Sequence, residues 1–195
     1  DGAEIHEATC TLLSLDRRGA KLVAMAPDVE QLHVVDHLKG APAEGEKRRV
    51  LAEASRIVRG QITDMAKVSA KDLDALVFPG GYGAAKNLCT FAVEGRSMRV
   101  LPAVERLARE MRAANKPQGY ICIAPVIAAR LFGADKVKLT IGNDRDTASA
   151  IESWGATHVD CKVEEIAVDE RLRMVSTPAY MLGPWIAPVA AGIDK

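Results

Sequence analysis

Gly119-Tyr120-Ile121-Cys122-Ile123-Ala124-Pro125 is the stretch that decides the fold. A buried-looking apolar run of strand length meets a helix signal with no loop between them, and Pro125 suits the first turn of that helix. Such a join forces a sharp turn. The residue at the turn, Cys122, projects above the sheet as the serine of a nucleophile elbow does, and the next amide, that of Ile123, is placed to hold an oxyanion. A thiol beside a helix amino end is expected to have a lowered pKa. Read without that context, the same cysteine is a small buried hydrophobe, which is also how Cys10, Cys89 and Cys161 read.

Upstream lies a second apolar run, Ala75 to Phe78, which ends abruptly in Pro79-Gly80-Gly81-Tyr82-Gly83-Ala84-Ala85-Lys86-Asn87. The glycines allow close backbone approach to a ligand, and exposed amides there could receive an anion or a developing oxyanion. The spacing is neither that of a P-loop, since Asn87 follows Lys86 where Ser or Thr is needed, nor that of a dinucleotide fingerprint. Around these two runs the periodicity predicts helices starting near Ile5, over Glu46 to Arg59, Arg99 to Ala114, Pro125 to Leu131 and Thr147 to Trp154, and a last one opened by Pro184. Strands are predicted over Lys21 to Ala26, His33 to Asp36 and Val137 to Ile141, with a hairpin pairing Glu165 to Val168 with Met174 to Thr177. Strands alternating with helices call for a parallel or mostly parallel sheet covered on both faces, with an antiparallel edge from the hairpin. In such a sheet, ligands bind at the loops after strand carboxyl ends.

Composition narrows the function. The 195 residues, 48% hydrophobic, suit one domain, and 26 basic residues balance 26 acidic ones. Zero net charge argues against a nucleic-acid partner, and Lys47-Arg48-Arg49 reads as a solvated helix face. No stretch approaches the roughly 18 apolar residues of a membrane span. The four cysteines show no paired short spacing, so neither a zinc site nor a disulfide framework is expected, and reduced thiols fit best.

A thiol nucleophile needs a proton partner. The candidates are Glu4, Glu7, His6, His33, His37 and His158, and no spacing selects one of them.

These pieces together resemble the ThiJ/PfpI superfamily, the cysteine-elbow branch of the class I glutamine amidotransferase-like fold, and within it the ElbB-like proteins. The matching stretches are Asp1-Gly2 with Glu4-Ile5-His6-Glu7, Val35-Asp36-His37, Pro79 to Leu88, Gly119 to Pro125, Leu139-Thr140-Ile141-Gly142 and Thr177-Pro178-Ala179-Tyr180-Met181, which span nearly the whole chain. The resemblance implies a single domain over residues 1–195, a three-layer α/β/α flavodoxin-like sandwich with a mostly parallel central sheet. It further implies a first strand ahead of Asp1 and a last helix running past Lys195.

In function, it implies Cys122 as the elbow thiol, Glu7 as the carboxylate bonded to it, and Gly80, Gly81 and Ile123 as backbone donors, with His6, Glu4, Lys86 and Asn87 as auxiliary candidates. No metal and no cofactor are expected. Superfamily members with a Cys-His-Glu triad carry a histidine after the strand that follows the elbow helix. Here that region reads Leu139-Thr140-Ile141-Gly142-Asn143-Asp144, which leaves a Cys-Glu pair and argues against glutaminase or protease chemistry. The implied activity is a lyase-type glyoxalase, converting glyoxal to glycolate, or a deglycase. The alternative is a non-catalytic sensor that uses oxidation of Cys122 as a switch. A small aldehyde as ligand, a homodimer, no nucleic acid or membrane partner, and a cytoplasmic location (mitochondrial for a eukaryotic relative) complete the expectation.

Overall fold

The computed structural model describes residues 1–195. Its strands are β1 (Met25–Ala26), β2 (Val35–Asp36), β3 (Ala41–Pro42), β4 (Thr63–Asp64), β5 (Leu76–Phe78), β6 (Gln118–Ile121), β7 (Lys138–Leu139), β8 (Thr157–His158), β9 (Ala167–Asp169) and β10 (Met174–Thr177). Its α-helices are α1 (Ile5–Arg17), α2 (Val50–Ser55), α3 (Phe91–Glu94), α4 (Pro102–Ala113), α5 (Pro125–Phe132), α6 (Arg145–Ser153) and α7 (Ile186–Asp194). The central sheet has the order β5-β6-β10-β9, with β5, β6 and β10 parallel and β9 antiparallel at the edge. The hairpin expected from the sequence is therefore present, as β9 and β10.

The register explains the buried runs. Phe78 lies opposite Tyr120 and their rings stack with centroids 5.3 Å apart. Gln118 is buried in the same strand without cost, because its amide donates to the Ala108 carbonyl at 3.1 Å and its oxygen accepts from the Tyr120 hydroxyl at 2.7 Å. Val104, Leu107, Ala108 and Met111 form the buried stripe of α4, at the helical spacing read from the sequence. Helix α5 is buried on nearly every side, which is why its sequence carries no polar stripe.

Several elements are shorter than the sequence suggests. The helix expected over Glu46 to Arg59 is regular only through α2, because Arg49 is extended and the chain leaves the helix in successive turns after Ser55. The strand expected over Lys21 to Ala26 is reduced to β1, which pairs in parallel with β4. No hydrogen bond joins β1 to β5. Between them lies a largely apolar trench of about 1000 Å³, lined among others by Leu12 and Leu15 of α1, Val23, Met25 and Val77. Leu22 and Val23 are exposed beside it. Two further pairs, β2 with β3 and β7 with β8, stand outside the central sheet, although β7 is tied to it by the Thr140 amide donating to the Ser176 hydroxyl at 2.9 Å. No helix is long and apolar enough to cross a membrane.

Candidate active site

The carboxyl ends of β5, β6 and β10 converge with the first turn of α1. Cys122 sits where β6 passes into α5, 7% exposed, with φ +61, a left-handed conformation costly for a residue bearing a Cβ. Its amide donates to the Thr177 carbonyl at 2.9 Å, pinning the elbow to β10. The Cys122 side chain and the Glu7 carboxyl both stand against Gly80, and the Gly81 and Ile123 amides lie close enough to the thiol to favour its charged form.

Glu7 is 0% exposed. Glu4 caps the helix by accepting the Glu7 amide at 2.7 Å, so the two residues, one turn apart, share a face. One Glu7 carboxyl oxygen accepts the Gly80 amide at 2.9 Å and the other accepts the Tyr180 amide at 3.2 Å. Burial pushes this carboxyl up to about 7, against the opposing pull of the Tyr180 amide and the Cys122 thiol. The thiol itself is pushed up to about 12, by burial first and by the negative charge of Glu7 second, with the Gly81 amide working the other way. This overturns the expectation of a lowered thiol pKa. Beside a helix amino end, desolvation and a neighbouring carboxylate outweigh the dipole.

Two glycines are required by the close approach of these loops. A Cβ on Gly80 would lie 2.4 Å from the Cys122 Cβ and 2.7 Å from a Glu7 carboxyl oxygen. Gly81 has φ +94, and a Cβ there would lie 2.4 Å from the Glu4 amide nitrogen.

The remaining residues sort differently from the sequence reading. The Gly80 amide is taken by Glu7, leaving the Gly81 and Ile123 amides close to the thiol. Lys86 ion-pairs with Asp1 and lies 5.3 Å from the Tyr82 ring centre, while Asn87 accepts the Leu32 amide at 2.9 Å and donates to the Asp1 carbonyl at 3.0 Å. Both therefore fasten the start of the chain and neither reaches the thiol. His6 turns to the Tyr180 hydroxyl, 2.8 Å from its Nδ1, and to Glu4 at 3.5 Å. His158 is a satisfied core histidine: its Nε2 accepts the Ile141 amide at 3.4 Å and its Nδ1 lies 3.6 Å from Asp160. None of the four histidines hydrogen-bonds to Cys122 or Glu7. Tyr180 escapes a sequence reading because its contact with Glu7 is made by the backbone, which no side-chain pattern announces.

A cysteine elbow between parallel β6 and α5, with a buried carboxylate from α1 beside it, defines a class I glutamine amidotransferase-like α/β protein. The human glutamine amidotransferase-like class 1 domain-containing protein 3, mitochondrial, is 49% identical over 190 residues, 93% of this chain and 70% of that protein. A mitochondrial ES1 protein homolog of Rattus norvegicus is 48% identical over 190 residues, 93% of this chain and 71% of its own. The chain belongs to this ES1 family of glutamine amidotransferase-like class 1 domain proteins.

Among solved structures, an isoprenoid biosynthesis protein with an amidotransferase-like domain from Ehrlichia chaffeensis superposes with a TM-score of 0.91 at 37% identity, covering 100% of this chain and 88% of that one. A ThiJ/PfpI domain protein from Brachyspira murdochii, 14% identical with a TM-score of 0.57 and covering 99% of this chain and 91% of its own, shares the fold. No family model matches the chain. The ElbB-like expectation is thus met at the level of superfamily and fold, while the relatives near half identity are ES1-type proteins.

Proposed function

We propose that the chain is a cofactor-free glyoxalase-type enzyme acting on small aldehydes, with Cys122 as nucleophile and Glu7 as general base and acid. The observation that carries the reading is the fully buried Glu7 carboxyl, held by the Gly80 and Tyr180 amides, in the same tight site as the elbow residue Cys122 against Gly80. Burial pushes that carboxyl up to about 7. A base poised near neutrality is what proton transfer at physiological pH requires.

The thiol reacts in concert with its base. As Sγ bonds to the aldehyde carbon of glyoxal, the thiol proton passes to Glu7, and the oxygen of the resulting hemithioacetal lies against the Gly81 and Ile123 amides. Glu7 then protonates that oxygen and removes the proton from the same carbon while the neighbouring carbonyl oxygen takes up a proton, giving an enediol. The Glu7 proton exchanges with solvent at this stage and is delivered to the neighbouring carbon as the first carbon's hydroxyl loses its proton and becomes the thioester carbonyl. One carbon rises to the acyl level as its neighbour falls to the alcohol, so no external oxidant or reductant enters. Water opens the thioester, giving glycolate and restoring the thiol. A histidine triad is not needed for this sequence, and glutamine hydrolysis is not proposed.

The sensor alternative has less support. A thiol held near 12 carries little thiolate at neutral pH, and spontaneous oxidation needs the thiolate. The names of the relatives place them in mitochondria, and we assign this protein to the same compartment. The homodimer is carried with the proposal; light scattering of the purified chain reads it.

The test is glyoxal turnover in D2O with wild type and Glu7→Gln. The mechanism requires solvent deuterium on the alcohol carbon of glycolate and a rate loss of about 10²–10⁴ in the variant. Glycolate without deuterium, or an unchanged rate in Glu7→Gln, would remove Glu7 from the mechanism.

A further inference from the structure

We infer that Tyr180 is a positioning residue for the Cys122–Glu7 pair, its backbone amide holding the Glu7 carboxyl and its hydroxyl, locked to His6, fixing the turn that presents that amide. The inference rests on the reading of Glu7 as the working base.

Three observations carry it. Tyr180 lies in the turn Ala179–Met181, directly beyond β10, and packs against the cluster that contains Cys122. The preceding residue, Ala179, is fully buried with φ +43, a left-handed backbone that a residue with a Cβ rarely adopts. Strain of this kind persists only where the surroundings over-determine it. Here it accompanies the presentation of the Tyr180 amide to Glu7, 3.2 Å away.

The side chain closes the arrangement. The Tyr180 hydroxyl lies 2.8 Å from His6 Nδ1, His6 lies 3.5 Å from Glu4, and Glu4 accepts the Glu7 amide at 2.7 Å. The contacts form a ring that leaves Glu7 through its carboxyl and returns through its backbone, with every link made by residues 4, 6, 7 or 180. Gly80 holds the second carboxyl oxygen independently, from the β5 loop. Loosening the Tyr180 turn therefore frees one oxygen while the other stays bound.

The expected consequence has a sign. The Tyr180 amide stabilises the charged carboxylate, so its loss raises the pH at which Glu7 ionises. The charged or titratable groups facing Glu7 are Glu4 on its own helix and Cys122 at the elbow, and neither is altered in the variants.

The experiment uses the full chain and reads the alkylation of Cys122 by iodoacetamide as a function of pH, site by site by mass spectrometry. In wild type the rate rises as Glu7 ionises, because the thiol reacts in concert with its base and only the carboxylate can take the thiol proton as Sγ bonds to carbon. Tyr180→Phe and His6→Leu should each move that rise upward by about half to one pH unit, lowering the rate at pH 7 about two- to fivefold. The double variant should match either single one. A folded Tyr180→Phe protein with the rise unmoved, or moved downward, overturns the inference. If Tyr180→Phe does not fold, His6→Leu decides the same question, since it breaks the same ring from the other side. The readout does not depend on glyoxal, so a wild type that alkylates as described but makes no glycolate sinks the proposed reaction and leaves the assignment of Tyr180 to be judged on its own curve.

Discussion

Glu7 accepts the Gly80 amide at 2.9 Å, so one buried carboxyl both fastens α1 to the loop after β5 and stands with Cys122 against Gly80. Attachment and chemistry thus meet in one side chain, and perturbing either disturbs the other.

The first consequence is a pH-dependent stability. Glu7 titrates near 7 in the fold and near 4.5 when unfolded, the shift arising mainly from burial. Between those values the folded state holds the proton and the unfolded state does not, so this group's contribution falls as pH rises from about 4.5 to about 7. The upper limit is about 3 kcal/mol. Urea unfolding of wild type should show this decline, and Glu7→Gln should lack it; parallel curves for the two proteins would contradict the assigned environment.

Gly80→Ala tests the close approach. Its added Cβ would lie 2.4 Å from the Cys122 Cβ, and the backbone of two loops would have to move. Overpacking of this kind costs about 1–3 kcal/mol. Denaturation should register that loss together with slower alkylation of Cys122. Wild-type stability in the variant would mean that the loops are looser than described.

The trench between β1 and β5 predicts that an extended apolar segment seated there completes the sheet. Both strands present unpaired edges across it, and Leu12 and Leu15 of α1 line it. A chain carrying five β-branched residues and a short connection ahead of Asp1 should gain about 3 kcal/mol, or about 10 °C in Tm, over one carrying a Gly/Ser segment of equal length. Equal melting temperatures would show that the trench does not accept a strand.

Much of this is legible in the sequence, for identifiable reasons. β6 and α5 are readable because an uninterrupted apolar run meets Pro125 with no loop between, and the β9–β10 hairpin because turn residues separate two apolar segments. The length of β1 is not readable, since Leu22 and Val23 fit a strand but pairing requires a neighbour that sequence pattern does not supply. Glu7 cannot be selected from spacing, because its partner lies more than a hundred residues away, and it is reached only through family resemblance. Lys86 and Asn87 have suitable chemistry but face Asp1 and Leu32. The direction of the thiol pKa is lost to a sequence reading because proximity to a helix end is visible there, whereas the desolvation that outweighs it belongs to the packed site.

Glycolate production from glyoxal by purified wild type and Cys122→Ser, followed side by side at neutral pH, tests the central claim most directly. The predicted result is glycolate from wild type and none above the uncatalysed rate from a folded Cys122→Ser. Undiminished turnover in that variant, or none in wild type, would contradict the proposed chemistry.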